Sequence, residues 1–126
     1  MSRQTVTTRT VKLRAIAYGR SGDKGGTANV GIAARHDELF PVLVRELTEA
    51  RVLEHFDDRV DRVTRYELPN LAAVNFLLHG ILGKGGTSTL RLDPQGKALA
   101  DALLAMEISL NDEELGLLHS IGHGGR

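Results

Sequence analysis

Residues 19–29 read GRSGDKGGTAN and residues 83–89 read GKGGTST, so Lys-Gly-Gly-Thr occurs twice, each time among glycines and small polar residues. Glycine reaches backbone angles that other residues avoid, so such a loop can turn several amide N–H groups toward one point. A neighbouring lysine adds a mobile positive charge, and the chemistry this suits is anion binding. In the first stretch Gly22, Gly25 and Gly26 would shape the backbone while Arg20 and Lys24 supply charge. Ser21, Thr27 and Asn29 add neutral hydrogen-bonding groups, and Asp23 is the lone carboxylate. The second stretch offers Lys84 with Gly85 and Gly86. The opposing reading is that both stretches are solvated turns whose charges serve solubility. They would act together only if they lie at the same end of the fold.

Neither stretch is a nucleotide-hydrolysis loop. The Walker pattern needs lysine directly between glycine and Ser or Thr, and here two glycines separate lysine from threonine. GxGxxG is also absent. Elsewhere, Asn75 and His79 would share a strand face, and Arg65 and Glu67 share a face of the adjoining strand. A face carrying all four would be the floor of a pocket, or else a solvated cross-strand network worth little. His119 and His123 have helical metal-ligand spacing, but Gly122 and Gly124 argue against a helix there and no third ligand is apparent. Neither a metal nor a cofactor is implied.

The elements that must position these residues follow from periodicity. Residues 11–18 alternate as a half-buried strand, and residues 29–34 form a second, hairpin-paired with it across the long glycine loop. Asp37 is a helix cap for the apolar positions Phe40, Leu43, Val44 and Leu47, and Thr48 caps a second helical piece ending near Phe56. Residues 60–68 alternate again, with Pro69-Asn70 as punctuation. Residues 71–79 fit both strand and helix, and the β-branched and aromatic residues at their centre favour strand. Asp93-Pro94 starts a helix with Leu99, Ala102, Leu103 and Met106 buried, and residues 107–110 return as a strand. From residue 29 the order is strand, helix, strand, strand, helix, strand. That is an α+β, ferredoxin-like split βαβ sandwich with an extra N-terminal strand. Its two helices would cover one sheet face and leave the other open. The division is an N-terminal arm at 1–10, one domain at 11–110 and a tail at 111–126, with one short helix before a loose end.

Composition narrows the function classes. A chain of 126 residues suits one domain with its own core. Sixteen basic residues balance sixteen acidic ones, which argues against a coat for nucleic acid or for an anionic membrane. Few aromatics and no tryptophan disfavour a stacking platform for single strands. Thiol chemistry and disulfides are excluded because there is no cysteine. No apolar run approaches a membrane span, and the start lacks the apolar core of a signal peptide, so a cytoplasmic location is the expectation.

Two stretches also carry a family resemblance. RSGDKGGTANVGIAAR at 20–35 resembles the signature of the AtuA-like family, the acyclic terpene utilisation proteins. RYELPNLAAVNFLLHGILGKGGTSTLRLDPQGKALADALLAMEI at 65–108 resembles the remainder of that family's C-terminal domain, so about residues 11–109 are covered. The resemblance implies a ferredoxin-like fold, in larger relatives following a bigger N-terminal domain to which this chain has no counterpart. It also implies a link to the breakdown of acyclic terpenes through acyl-CoA intermediates. Within the signature, Gly26 stands where a polar residue is expected.

Loop chemistry and family context together suggest an accessory module that binds an acyl-CoA or another anionic small molecule. It would complete a site with a separately encoded large AtuA-like domain. The alternative is a stand-alone enzyme of hydratase or lyase type, acting on an acyl-CoA or small carboxylate. Asp23 would then be the acid or base and Lys24 the oxyanion stabiliser, with Asn29 and Asn75 orienting substrate. A structural homo-oligomer is the third reading. Nucleic acid and membrane partners are not expected.

Overall fold

The computed structural model describes residues 8–24, 27–80 and 97–124. Four strands form one antiparallel sheet: β2 (Ala17–Lys24), β3 (Thr27–Ala34), β4 (Arg62–Leu68) and β5 (Ala73–His79), in the order β2-β3-β5-β4. Between β3 and β4 lie α1 (Phe40–Glu46) and α2 (Glu49–Phe56). A further helix, α3 (Lys97–Leu104), leads into β6 (Glu107–Asn111). That strand pairs antiparallel with β1 (Thr8–Lys12) in a separate two-stranded ribbon, and α4 (Asp112–Gly124) follows it.

The element order from β3 onward is the split βαβ order expected from the sequence, in a mixed α+β arrangement. Two details differ. The strand expected at 11–18 is broken by a 3₁₀ turn at Leu13–Ala15, so its two halves serve β1 and β2. The sheet edge beside β3 is then filled by β2, and the last strand pairs with β1 instead. The second difference concerns GRSGDK, expected as a loop. It is the strand β2 itself, paired residue for residue with β3 down to Lys24 opposite Thr27. Glycine was read from the sequence as turn-forming, but at these positions it serves through its missing side chain. At Gly19 a Cβ would stand 3.0 Å from Ile32 Cδ1 and 3.5 Å from Ala100 Cβ, so glycine allows α3 to lie against the sheet.

The core fills one face of the sheet. Ala28, Val30 and Ile32 of β3, Val74, Phe76 and Leu78 of β5, and Val63 of β4 are buried beneath Val42, Leu43, Val52, Phe56, Leu99 and Leu103 from the helices. Residues 73–79 are strand, because Phe76 and Val74 meet this layer with period two. Thr48 Oγ1 accepts a hydrogen bond from Arg51 N–H at 3.1 Å, capping α2 as its position implies. Asp37 does not cap α1; it opens a 3₁₀ turn at Asp37–Leu39, after which α1 begins with Pro41 in its first turn, where an amide proton has no helical partner to lose.

The tail is more ordered than its glycines suggest. Asn111 Oδ1 accepts from Glu114 N–H at 2.8 Å, and Glu114 Oε1 accepts from Asn111 N–H at 2.9 Å, a reciprocal cap that starts α4. The helix then runs through Gly122, against expectation, with Leu115 and Leu118 packed on the core. Among the described residues no cluster of three metal-ligating side chains forms, and no helix is long and apolar enough to cross a membrane.

An ionic group ties ribbon, helices and tail together. Arg45 donates to Glu114 at 2.6 and 3.0 Å, to Glu46 at 3.0 Å and to the Ser109 carbonyl at 2.7 Å. Glu46 also accepts from Arg51 at 2.7 Å and from Ser109 N–H at 3.0 Å. Burial works to raise the Glu46 carboxyl, but the hydrogen bonds from Ser109 N–H, Arg45 and Arg51 outweigh it and hold it below its ordinary 4.5. For Glu114 the Arg45 hydrogen bond leads and burial opposes, again with a lowered result. A depressed carboxyl contributes stability that is complete above its ordinary value and is lost as pH falls through its folded value. Wild type should therefore lose stability below about pH 4.5 more steeply than Glu46→Gln, which starts less stable at neutral pH. Urea unfolding across pH 3 to 7 would check this, with parallel curves for the two proteins as the contrary result.

Candidate functional site

The pleat separates two sets of residues. Even-numbered β3 residues face the core, and the odd-numbered ones lie on the opposite face, which no helix covers among the described residues. Register then lays four rows of four positions across that open face. The first is Tyr18, Ala33, Ala73, Leu68, and the second is Arg20, Gly31, Asn75, Tyr66. The third is Gly22, Asn29, Leu77, Thr64, and the last, at the hairpin end, is Lys24, Thr27, His79, Arg62. None of these sixteen positions is Asp or Glu, so in a chain with no net charge the charged residues among them are all basic.

At the centre is a shallow depression of about 310 Å³ lined by Arg20, Ser21, Gly22, Asn29, Gly31 and Asn75. Its depth comes from two missing side chains. A Cβ at Gly22 would meet nothing within 4 Å, and one at Gly31 would touch Asn75 Oδ1 at 3.4 Å. The amide of Asn75 thus leans over the space that Gly31 leaves. Among the described residues, the side chains of Arg20, Asn29 and Asn75 make no hydrogen bond or ion pair, whereas Arg45, Arg51 and Arg65 are all engaged. Ser21 borders the depression, yet its Oγ is buried without a partner among the described residues. One guanidinium and two amides, all without partners among the described residues, line this hollow.

Five residues singled out in the sequence therefore come together here: Arg20, Ser21, Gly22, Asn29 and Asn75. Gly31 was missed, and its signal was the Asn-x-Gly following the first glycine stretch. Thr27 lies two residues along β3, opposite His79. Asp23 and Lys24 occupy the end of β2, opposite Ala28 and Thr27 respectively. Gly25, Gly26, Lys84, Gly85 and Gly86 lie outside the described residues, as does the Asp93-Pro94 helix start.

The expected floor of Arg65, Glu67, Asn75 and His79 does not form. Arg65 pairs with Phe76 and Glu67 with Val74, which puts them on the core side, away from Asn75 and His79. Arg65 Nη1 donates to the carbonyls of Val44 at 2.9 Å and Leu47 at 3.0 Å, closing the C-terminus of α1. Its Nη2 pairs with Glu67 at 3.0 Å. The open face carries Arg62 and Thr64 instead. His79 Nε2 lies 2.9 Å from Thr64 Oγ1, and its Nδ1 lies 3.4 Å from an Arg62 nitrogen. His55, in the last turn of α2, donates from Nε2 to the Ala102 carbonyl at 2.7 Å.

An antiparallel sheet with helices on one face, and unpartnered polar side chains on the other among the described residues, defines a single-faced α+β domain. The chain belongs to the AtuA ferredoxin-like domain family, whose model matches residues 11–109. That span covers every residue lining the depression. Comparison with curated proteins and with solved structures returned no match.

The two glycines make opposite predictions. Gly22→Val should leave the fold intact, or raise stability slightly, since a strand glycine costs roughly 0.5–1 kcal/mol, and should fill the depression. Gly19→Val must push against Ile32 and Ala100 and should cost about 1–3 kcal/mol. Urea midpoints of the two variants would test this, and equal losses would show that Gly22 is not open space.

Proposed function

We propose that the chain is an accessory module that presents the open face of its sheet to a separately encoded large AtuA-like domain. Together they would complete one site in acyl-CoA-linked catabolism of the terpene or small-acid type. The observation that carries this reading is the open depression itself. Three unpartnered donors, Arg20, Asn29 and Asn75, gather on a surface too shallow to enclose a ligand. Small-molecule sites ordinarily bury most of their ligand, so such a surface is half of a site. Exposed apolar residues flank it: Tyr18, Tyr66, Leu68 and Leu71 are 54%, 49%, 39% and 69% accessible. Aromatic anchors beside an arginine are what a protein interface core favours. The Arg35 guanidinium lies over the Tyr18 ring, 5.7 Å from its centroid, a contact that favours this orientation of the exposed ring.

The test is capture of the purified chain by the separately expressed large domain. Wild type should be retained, and the Arg20→Glu, Tyr66→Glu double variant should be lost while keeping its far-ultraviolet dichroism. Capture is expected to weaken at least tenfold, since central interface anchors cost on the order of 2 kcal/mol or more. Failure of two folded wild-type proteins to associate would overturn the module reading and leave a site complete in one chain.

A further inference from the structure

The polar depression has an apolar neighbour on the same face. One outward step along the strands, roughly 7 Å, separates Gly31 from Ala33 and Asn75 from Ala73. The row reached by that step is small at its centre, with Ala33 and Ala73, and large at its flanks, with Tyr18 and Leu68. Side-chain size therefore makes the row lowest at its centre, where Ala73 is 8% accessible, and this low ground leads from the depression toward the turn between β4 and β5. Arg20, whose guanidinium has no carboxylate partner among the described residues, stands on the depression side of that boundary.

We infer that the ligand of the depression is a monocarboxylate with an apolar tail of a few carbons. This rests on the reading of the open face as half of a binding site and narrows its ligand to small acids. Arg20 takes the carboxylate through its paired N–H groups, as planar guanidinium matches planar carboxylate. The Asn29 amide N–H groups complete the head site, Asn75 joins them by turning its amide so that Nδ2 replaces Oδ1 over Gly31, and the tail lies along Ala33 and Ala73. One guanidinium balances one negative charge. A phosphate dianion would call for more, and it would leave the apolar row uncovered.

Titration of the full chain with acetate, butanoate and hexanoate, followed by ¹H–¹⁵N NMR, tests this directly. Hexan-1-ol and inorganic phosphate serve as the neutral and dianionic comparisons. Shifts should centre on residues 29–33 and 73–75. Affinity should rise with chain length, by at most about fourfold per methylene, the limit for complete burial. Arg20→Gln should weaken all three acids together, and Leu68→Ser should flatten the dependence on length. Phosphate or hexanol binding as well as hexanoate, affinity indifferent to length, or the absence of any shift would each overturn the inference. A chain that ignores carboxylates but is still captured by the large domain refutes this inference alone. One that binds hexanoate but is not captured refutes the module reading alone.

Discussion

The structure depends on the register of β3. It is paired on both sides, with β2 over its whole length and with β5 from Thr27 to Ala33, so its pleat dictates the pleat of the sheet. Ala28, Val30 and Ile32 are fully buried as a consequence, and Asn29, Gly31 and Ala33 are left on the other side. A slip of one residue would exchange the two sets, placing an asparagine in the core and an isoleucine in the depression. Burial of the apolar set is thus the same event as presentation of the polar set. No separate device is needed to hold Asn29 and Asn75 near Arg20.

Around that sheet the other elements divide into two tasks. The helices cover one face, and Arg65 fastens the end of α1 to the sheet from the core side. The ribbon of β1 and β6, with α4 behind it, is held by Arg45, Arg51, Glu46 and Glu114, two cations and two anions that balance among themselves. Charge is therefore used in two ways. Where it builds the fold it is paired, and at the depression it is left unpaired among the described residues. The contrast between Arg65 and Arg20 expresses this, since both are arginines on strands of one sheet and only one has its hydrogen bonds satisfied.

Much of this was legible in sequence where periodicity was strict. The alternation of Val30, Ile32 and Ala34, and of Val74, Phe76 and Leu78, assigned both strands and the face of Asn75 and His79. Thr48 announced its helix, and the strand-helix order yielded the α+β plan. The glycine stretch misled because composition cannot distinguish a glycine needed for a turn from one needed for space. Gly19 admits a helix and Gly22 opens a hollow, and both facts depend on what lies across from them. Arg65 and Glu67 were placed on a floor with Asn75 because face assignment between strands needs the register, which no single strand contains. The short helix expected in the tail runs further than its glycines suggested, over 112–124, and its reciprocal Asn111–Glu114 cap was the overlooked signal.

The central claim is that the open face of the sheet, at the Arg20–Asn75 depression and the adjoining alanines, is where this domain meets its ligand. The most direct measurement is of intermolecular nuclear Overhauser effects between hexanoate and the methyl groups of the chain. The account predicts contacts from the hexanoate tail to the Ala33 and Ala73 methyls and none to Leu53, which is exposed on α2. Contacts to Leu53 or other helix-layer methyls, with none to Ala33 and Ala73, would contradict it.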